Sequence, residues 1–294
     1  MESCEARAAS EKRVAIVSVC HNSAPVLASM LETCPRDAEI ILVDNASADT
    51  GEIANLAKKY NTGLILNKAN KGFGAACNQG ASASSAEFIL FLNPDAQLMP
   101  DTIQHLVTAA DKYAEASAFN PRIQRQDGLE AFNYKSDLLP RSRRMNRGWP
   151  SQDCETVILS GAALFIRRSD FVKVNGFDEN IFLYYEDDDL SLRLKRQCGP
   201  LMFCRAALVK HIEGASSGKS SEKSEAFKAW HKGRSKIYTM GKHARPFART
   251  RTVAHALKKV LSVKLLYSGL RRSHSVAFLK GVLHASFTKP RAPH

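Results

Sequence analysis

From Val14 onward the chain alternates short apolar runs with stretches in which apolar residues recur at helical spacing. Val14–Cys20 (VAIVSVC) is almost continuously apolar, the pattern of a strand buried on both faces. Asn22-Ser23 then read as the cap of a helix with Pro25 in its first turn. Val26, Leu27, Met30, Leu31 and Cys34 mark its inner face. Glu39–Val43 is a second buried strand, closed by Asp44, and residues 50–60 read as a helix. Gly63–Leu66 is a short strand, residues 74–85 a helix and Glu87–Leu92 a strand. Ile103, Leu106, Val107, Ala110 and Tyr113 trace the next amphipathic helix. Strands alternating with helices predict an α/β fold, a mostly parallel sheet flanked by helices.

The pattern changes after Asn120. Residues 122–153 are polar and basic, with Arg141, Arg143, Arg144 and Arg147 close together, and read as a long loop or flap. Strands are expected over 156–167 and 200–209. Between them a helix over about 187–198 presents Leu190, Leu194 and Cys198 on one face. The Ser-rich stretch Ser216–Ser224 opens a final helical section. No internal repeat is evident.

Composition alters this picture in one place. The chain has 294 residues, 44% of them hydrophobic, enough to bury a sizeable core. Its 42 Lys and Arg against 29 Asp and Glu give a net charge of +13. Fifteen of the basic residues lie between Trp230 and His294, where there is no Asp or Glu, leaving 27 basic against 29 acidic residues before Trp230. A near-neutral body therefore carries a strongly basic tail. The seven cysteines (Cys4, Cys20, Cys34, Cys77, Cys154, Cys198, Cys204) are odd in number and lack CxxC spacing. That argues for reduced thiols in a cytoplasmic setting over a disulfide framework or structural zinc. Residues 1–13 lack a leader-like apolar stretch, and no run of ~18 apolar residues occurs, so membrane association is expected to be peripheral.

Several residues carry candidate chemistry. In a parallel α/β sheet, ligands gather at the carboxyl ends of strands. Asp44 and Asp95 both sit there, and each alone is equally readable as a turn or cap residue. Between them Asn70-Lys71-Gly72-Phe73-Gly74, followed by Asn78, offers two glycines for close backbone approach to a ligand, just before a helix N-terminus. There is no Walker A loop, and the segment is a poor dinucleotide fingerprint. Glu186-Asp187-Asp188-Asp189 open a helix, where the macrodipole stabilises one or two acids. The aromatic neighbours Phe182, Tyr184 and Tyr185 point further, to a partly buried lip where a carboxylate acts as general base. His211 is either a hydrogen-bonded structural residue or, if brought near Asp95, a metal ligand.

VDNASAD (43–49), NKGFGAACN (70–78), FLNPDA (91–96), SGAALFIRR (160–168), GFDE (176–179), YYEDDDLSLR (184–193) and HIEGAS (211–216) follow in order. Over residues 13–245 this resembles an inverting family 2 glycosyltransferase of the GT-A fold, closest to its rhamnosyltransferase-like branch. The resemblance implies a nucleoside-binding Asp44, supported by Asn22, Asn45 and Asp49. It places Gly72, Gly74, Asn78 and Gly161 beside the donor. Asn93-Pro94-Asp95 stands where such enzymes carry a DXD-type motif, so Asn93 contacts the donor and Asp95 binds Mg²⁺ or Mn²⁺. His211 completes that metal site, and Asp187, next to Glu186, is the general base. After the first strand this chain has Cys20-His21-Asn22 where Thr-Tyr-Asn is common. The implied reaction moves a sugar, L-rhamnose from dTDP-rhamnose, to a growing, lipid-linked surface polysaccharide. The alternatives are a UDP-hexose or UDP-N-acetylhexosamine donor, or a catalytically silent glycan- or nucleotide-binding subunit.

The expected organisation is an extension (1–12), a GT-A domain (13–245) and a basic amphipathic helical tail (246–294). In the tail Val253, Leu257, Val260, Leu261, Lys264 and Leu265 trace one helix face, flanked by Lys258, Lys259, Arg271, Arg272 and Lys280. A basic amphipathic helix suits an anionic membrane surface, here the cytoplasmic face of the inner membrane; packing on the domain or in an oligomer is the other reading. No nucleic-acid-binding motif accompanies the charge, and nucleic acid is not expected as a partner.

Overall fold

The computed structural model describes residues 13–36, 38–212, 221–261 and 269–287. The extension 1–12 with Cys4, the end of the HIEGAS segment, the start of the Ser-rich stretch, and Lys264 and Leu265 lie outside the described residues.

The first half of the chain is a run of βαβ units. β1 (Val14–Cys20), α1 (Ala24–Thr33), β2 (Glu39–Asp44), α2 (Thr50–Lys59), β3 (Gly63–Leu66), α3 (Phe73–Ser82) and β4 (Phe88–Leu92) follow one another. Their strands lie parallel in the order β3-β2-β1-β4. The apolar runs are explained by burial on both faces. In β4, Phe88, Leu90 and Leu92 enter one core while Ile89 and Phe91 enter the other. Leu27, Met30 and Leu31 of α1 cover the first face; Ala76, Cys77 and Ala81 of α3 cover the second. The chain steps outward from β1 to β3, then returns to the far side of β1 as β4. The connections after β1 and β4 therefore leave in opposite directions, the switch point at which open α/β sheets bind ligands.

The second half completes the sheet with β5 (Ala96–Leu98), β6 (Ala118–Arg125), β7 (Glu130–Ala131), β8 (Cys154–Thr156), β9 (Ala163–Arg167) and β10 (Leu201–His211). The full order is β3-β2-β1-β4-β9-β6-β10-β5, with β7 beside β6 and β8 beside β10. β9 runs antiparallel between β4 and β6, while β6 and β10 are parallel. Helices α4 (Thr102–Lys112), α5 (Arg168–Lys173) and α6 (Glu186–Gln197) cover this half. Two sequence expectations change here. The strand expected over 156–167 is two strands, β8 and β9, parted by a loop that carries Gly161. The flap expected from 122 begins later, because β6 continues to Arg125, paired to β10 and capped by β7. Its outward side chains, Arg122 and Gln124, are polar because that end of the strand is half exposed, which disguised it as loop.

Among the described residues three helices follow: α7 (Glu222–Lys242), α8 (Ala248–Val260) and α9 (Gly269–Phe287). They share a small core of Ala229, Ile237, Ala256, Phe278 and Val282. The apolar face expected on α8 divides. Ala256 is buried and Val253 packs on that core, whereas Leu257 (45% exposed) and Leu261 (80%) face outward. α7 is also fastened to the sheet domain: Ser235 Oγ donates to Leu183 C=O (2.9 Å), Arg234 to Asn180 C=O (3.0 Å), and Tyr238 OH to Asp178 (2.7 Å). No helix among the described residues is long and apolar enough to cross a membrane. The described cysteines are free thiols.

Candidate active site

Strand register brings Asp95 and His211 together. β5 pairs antiparallel with the end of β10, setting His211 opposite Ala96, and Ile212 N–H donates to Asp95 C=O (2.9 Å). His211 Nε2 then lies 3.1 Å from Asp95 Oδ1 and 3.3 Å from Asn93 Nδ2. The condition the sequence left open for His211 is met. Among the described residues no three His, Cys, Asp or Glu side chains gather around a metal position. One carboxylate and one imidazole, with the Asn93 amide beside them, form a partial donor set. It fits Mg²⁺ or Mn²⁺, which keep waters and accept phosphate oxygens, better than a cation needing a full protein cage.

The candidates between residues 22 and 78 are nearby but engaged with one another. Asp44 is buried after β2, and its oxygens accept from Ser47 N–H (3.1 Å) and Thr50 Oγ1–H (2.5 Å). Asn45 receives Lys71 N–H (3.0 Å) and gives its amide to Asn70 (2.9 Å) and to Gly72 C=O (3.1 Å), tying the Asn70–Gly72 turn to β2. Asn22, at φ 55°, accepts from Ala48 N–H (2.8 Å). The first free N–H of α1, that of Ala24, is capped by Asp49 (2.9 Å). This corrects the expected cap: Ser23 makes no side-chain cap, and the capping carboxylate comes from 25 residues further along.

The reason for the two glycines also changes. Gly72 (φ 90°) has no room for a Cβ because Phe182 C=O would lie 2.5 Å from it, and at Gly74 Phe177 Cβ would lie 2.8 Å away. The close approach they permit is that of the chain segment leading into α6. Phe73 N–H donates to Phe182 C=O (3.0 Å). Asn78 brackets Phe177, accepting its N–H (2.8 Å) and donating to its C=O (3.0 Å). NKGFGAACN is thus the seat on which the start of α6 rests.

At that start, Tyr184 and Tyr185 both adopt positive φ (67° and 72°). Two bulky residues in the left-handed region cost of order 1–3 kcal/mol each and mark a conformation held by its surroundings. The four acids then diverge. Asp187 accepts from Gly161 N–H (3.2 Å) and Asp188 N–H (2.9 Å). Burial drives its proton affinity up, against the pull of those two donors. Asp188 accepts the Ser136 hydroxyl of the flap; burial and the Asp187 charge push it up to about 7. Glu186 is buried with Oε2 lacking a partner, and burial with the Asp187 charge pushes it up to about 8. Asp189 points away from these three. Fully buried, it bonds Arg193 Nε (2.7 Å), Lys242 Nζ (2.8 Å) and His243 Nε2 (2.8 Å). Burial opposes its ionisation, but these partners prevail and hold it down at about 2.

The loop before β9 joins the two ends of the site. Gly161 N–H reaches Asp187, and the next carbonyl, Ala162 C=O, accepts from Asn93 N–H (3.0 Å). Asn120 shapes this loop. It accepts from Ser160 N–H (2.6 Å) and donates to Ala163 C=O (2.6 Å) and to Ser160 C=O (3.2 Å). Sequence reasoning passed over Asn120 and Ser136; the signal for Asn120 was a lone amide closing the apolar start of β6.

A carboxylate with raised proton affinity thus lies one short loop from an Asp–His pair near the carboxyl end of β4. Residues 15–174 match Glycosyl transferase family 2, and the chain belongs to that family. It is 30% identical over 303 residues to the N-acetylglucosaminyl-diphospho-decaprenol L-rhamnosyltransferase of Mycobacterium tuberculosis, covering 88% of this chain and 94% of that protein. To the rhamnosyltransferase WbbL of Escherichia coli it is 28% identical over 244 residues, 74% of this chain and 89% of that one. The fold is similar to S. aureus TarS 1–349 (TM-score 0.56, 14% identity, 92% of this chain and 82% of that chain). It is also similar to the Pyrobaculum calidifontis mannosyltransferase PcManGT, solved with GDP-Man and Mn²⁺ (TM-score 0.57, 13% identity, 94% and 87%). The chain is therefore a rhamnosyltransferase-like glycosyltransferase with the GT-A fold.

Proposed function

We propose that this enzyme transfers L-rhamnose from dTDP-rhamnose, with inversion, to a lipid-linked acceptor in the building of a surface polysaccharide. The observation that carries the reading is the Ser160–Ala163 loop, whose successive backbone groups contact Asp187 on one side and Asn93 on the other. Two reacting partners, one at each end of that loop, would be held for a single displacement. Asp187 takes the proton of the acceptor hydroxyl. As that O–H bond breaks, the oxygen bonds to the anomeric carbon, and the bond from that carbon to the diphosphate breaks on the opposite face. The electron pair leaves with the nucleoside diphosphate. Burial suits Asp187 to this task, because it raises the affinity for the proton it must accept. Asp95 and His211 would hold the divalent cation, which when bound neutralises the charge gathering on the diphosphate. Asp44, Asn45, Asp49, Asn22, Gly72, Gly74 and Asn78 would shape the donor side, chiefly by fixing the loops around it.

The rhamnose donor and the lipid-linked acceptor are supported by the two rhamnosyltransferase relatives, one of which is named for an N-acetylglucosaminyl-diphospho-decaprenol acceptor. We place catalysis in residues 13–245 and a membrane-addressing part in 246–294, with α7 as the wall they share. Action at the cytoplasmic face of the inner membrane follows if the acceptor is a lipid. The test is a donor screen with Mg²⁺ or Mn²⁺ and a lipid-linked N-acetylglucosamine acceptor. Turnover of dTDP-rhamnose, abolished by chelator and restored by metal, is expected. Turnover of UDP-hexose or UDP-N-acetylhexosamine in its place would overturn the donor assignment. No turnover of any donor would favour a silent binding subunit.

A further inference from the structure

One cavity lies away from the sheet, at the turn from α7 to α8. It encloses about 600 Å³, and its lining includes Arg234, Tyr238, Lys242, Arg245, Phe247 and Arg249. No Asp or Glu lines it among the described residues. Lys242 is already ion-paired with Asp178 and Asp189, and Arg234 gives one N–H to Asn180 C=O. Arg245 has no hydrogen bond or ion pair from its guanidinium among the described residues. It also lines a second cavity of about 200 Å³ together with Arg251 and His255. The rim is aromatic. Phe247, held at φ 55° in the turn, is 72% exposed, and Phe287 at the end of α9 is 82% exposed. Arg249 joins them: it lies 5.6 Å from the centre of the Phe287 ring and donates to Ser286 C=O. Two bare phenyl rings beside a half-enclosed cationic hollow match one chemistry, an anionic headgroup whose acyl chains lie next to it.

We propose that the α7–α8 junction docks the phosphate headgroup of an anionic phospholipid in the bilayer, with Phe247 and Phe287 entering the acyl boundary beside it. This deepens the membrane address given above and differs from it in geometry: the bundle meets the membrane by its α7–α8 end, not by the outer face of α8. The neighbouring cation–π contacts, Arg249 over Phe287 and Arg251 over Phe247, keep each charge next to the ring that inserts.

The test is partition of the full-length protein between buffer and vesicles of phosphatidylcholine with 30% phosphatidylglycerol. R245A/R249A is expected to weaken partition roughly 25-fold, from about fivefold per cation, and F247S/F287S by at least fivefold. K58A/K59A, the same charge change on α2, is expected to leave it unchanged. Because Phe247 and Phe287 are exposed, their variant keeps the fold and the test valid even if the arginine pair does not. Three results would overturn the proposal: wild-type partition of both junction variants, equal weakening by K58A/K59A, or loss in L257S/L261S with F247S/F287S unaffected. Inorganic diphosphate separates the remaining source. If it saturates the protein in calorimetry and R245A/R249A abolishes that binding while vesicle partition is unchanged, the cavity serves a free phosphate ligand and the proposal falls. Partition needs neither donor nor acceptor, so its failure leaves the transferase reading standing, and the converse also holds.

Discussion

Asp44 closes β2, with Asn45 and Asp49 just beyond it; Glu186, Asp187 and Asp188 open α6. Both sets are polar groups drawn into the protein and each keeps one bare carboxylate oxygen, yet only the second crowds like charges into one turn. At the end of β2 Asp44 takes its donors, Ser47 and Thr50, from the next few residues, while Asp49 takes the Ala24 N–H from 25 residues earlier and keeps one oxygen bare. At α6 three acids crowd into one turn with too few donors, so Glu186 keeps a bare oxygen and all three hold protons more tightly than free carboxyls do. Satisfied polar groups make a scaffold. Unsatisfied ones store the free energy that a reaction can use. One helical position further, Asp189 falls back into the first category, because Arg193, Lys242 and His243 surround it.

That contrast can be broken in four places. Asp187→Asn keeps the shape and removes the proton acceptor. The turnover number should fall about 10²- to 10⁴-fold, with donor affinity unchanged in a binding titration; near-normal turnover would move the base elsewhere. Asp189→Asn attacks the satisfied acid of the same helix. It leaves the buried Arg193 against a neutral partner and should cost about 3–5 kcal/mol by denaturant unfolding. The sign of the pH effect follows from its depressed value. With a folded pKa of about 2, below the ordinary 3.8, its stabilisation is full above pH ~4 and lost as pH falls through about 2. The variant should lack that part of the acid loss.

Glu186 should give the opposite slope. Its folded carboxyl titrates at about 8, above the ordinary 4.5, so the folded state binds the proton more tightly than the unfolded chain. Stability from this group is present below pH ~4.5 and lost as pH rises through about 8. Glu186→Gln should flatten the decline in melting temperature between pH 5 and pH 8.5; an unchanged decline would reassign the frustration to Asp188. The smallest effect belongs to the scaffold. Asp49→Ala removes a helix cap and should cost about 1 kcal/mol, or roughly 2–4 °C for a domain of this size, read by thermal unfolding.

Local pattern and tertiary context contributed differently to this picture. The apolar runs at Val14, Glu39 and Phe88 were legible because a strand buried on both faces must be apolar throughout. β6 was not, since its outer end is half exposed and its polar residues resemble a loop. The acids and glycines of the site were visible as letters but not as roles. Gly72 looked like a ligand approach and is a seat for Phe182; Asp49 looked like part of a turn and caps a distant helix.

The charge split, too, was written in the chain: a near-neutral body and a basic end follow from counting, and no fold can alter them. What only the tertiary structure decided is where those charges go. Lys242 and His243 turn inward to Asp189, whereas Arg245 lines an open cavity a few residues later. The same holds for His211 and Asp95, 116 residues apart, which meet only because β5 and β10 pair in one register. Composition and periodicity act within a few residues. Pairing a donor with an acceptor, or a ligand with its partner, depends on long-range register, which no local pattern encodes.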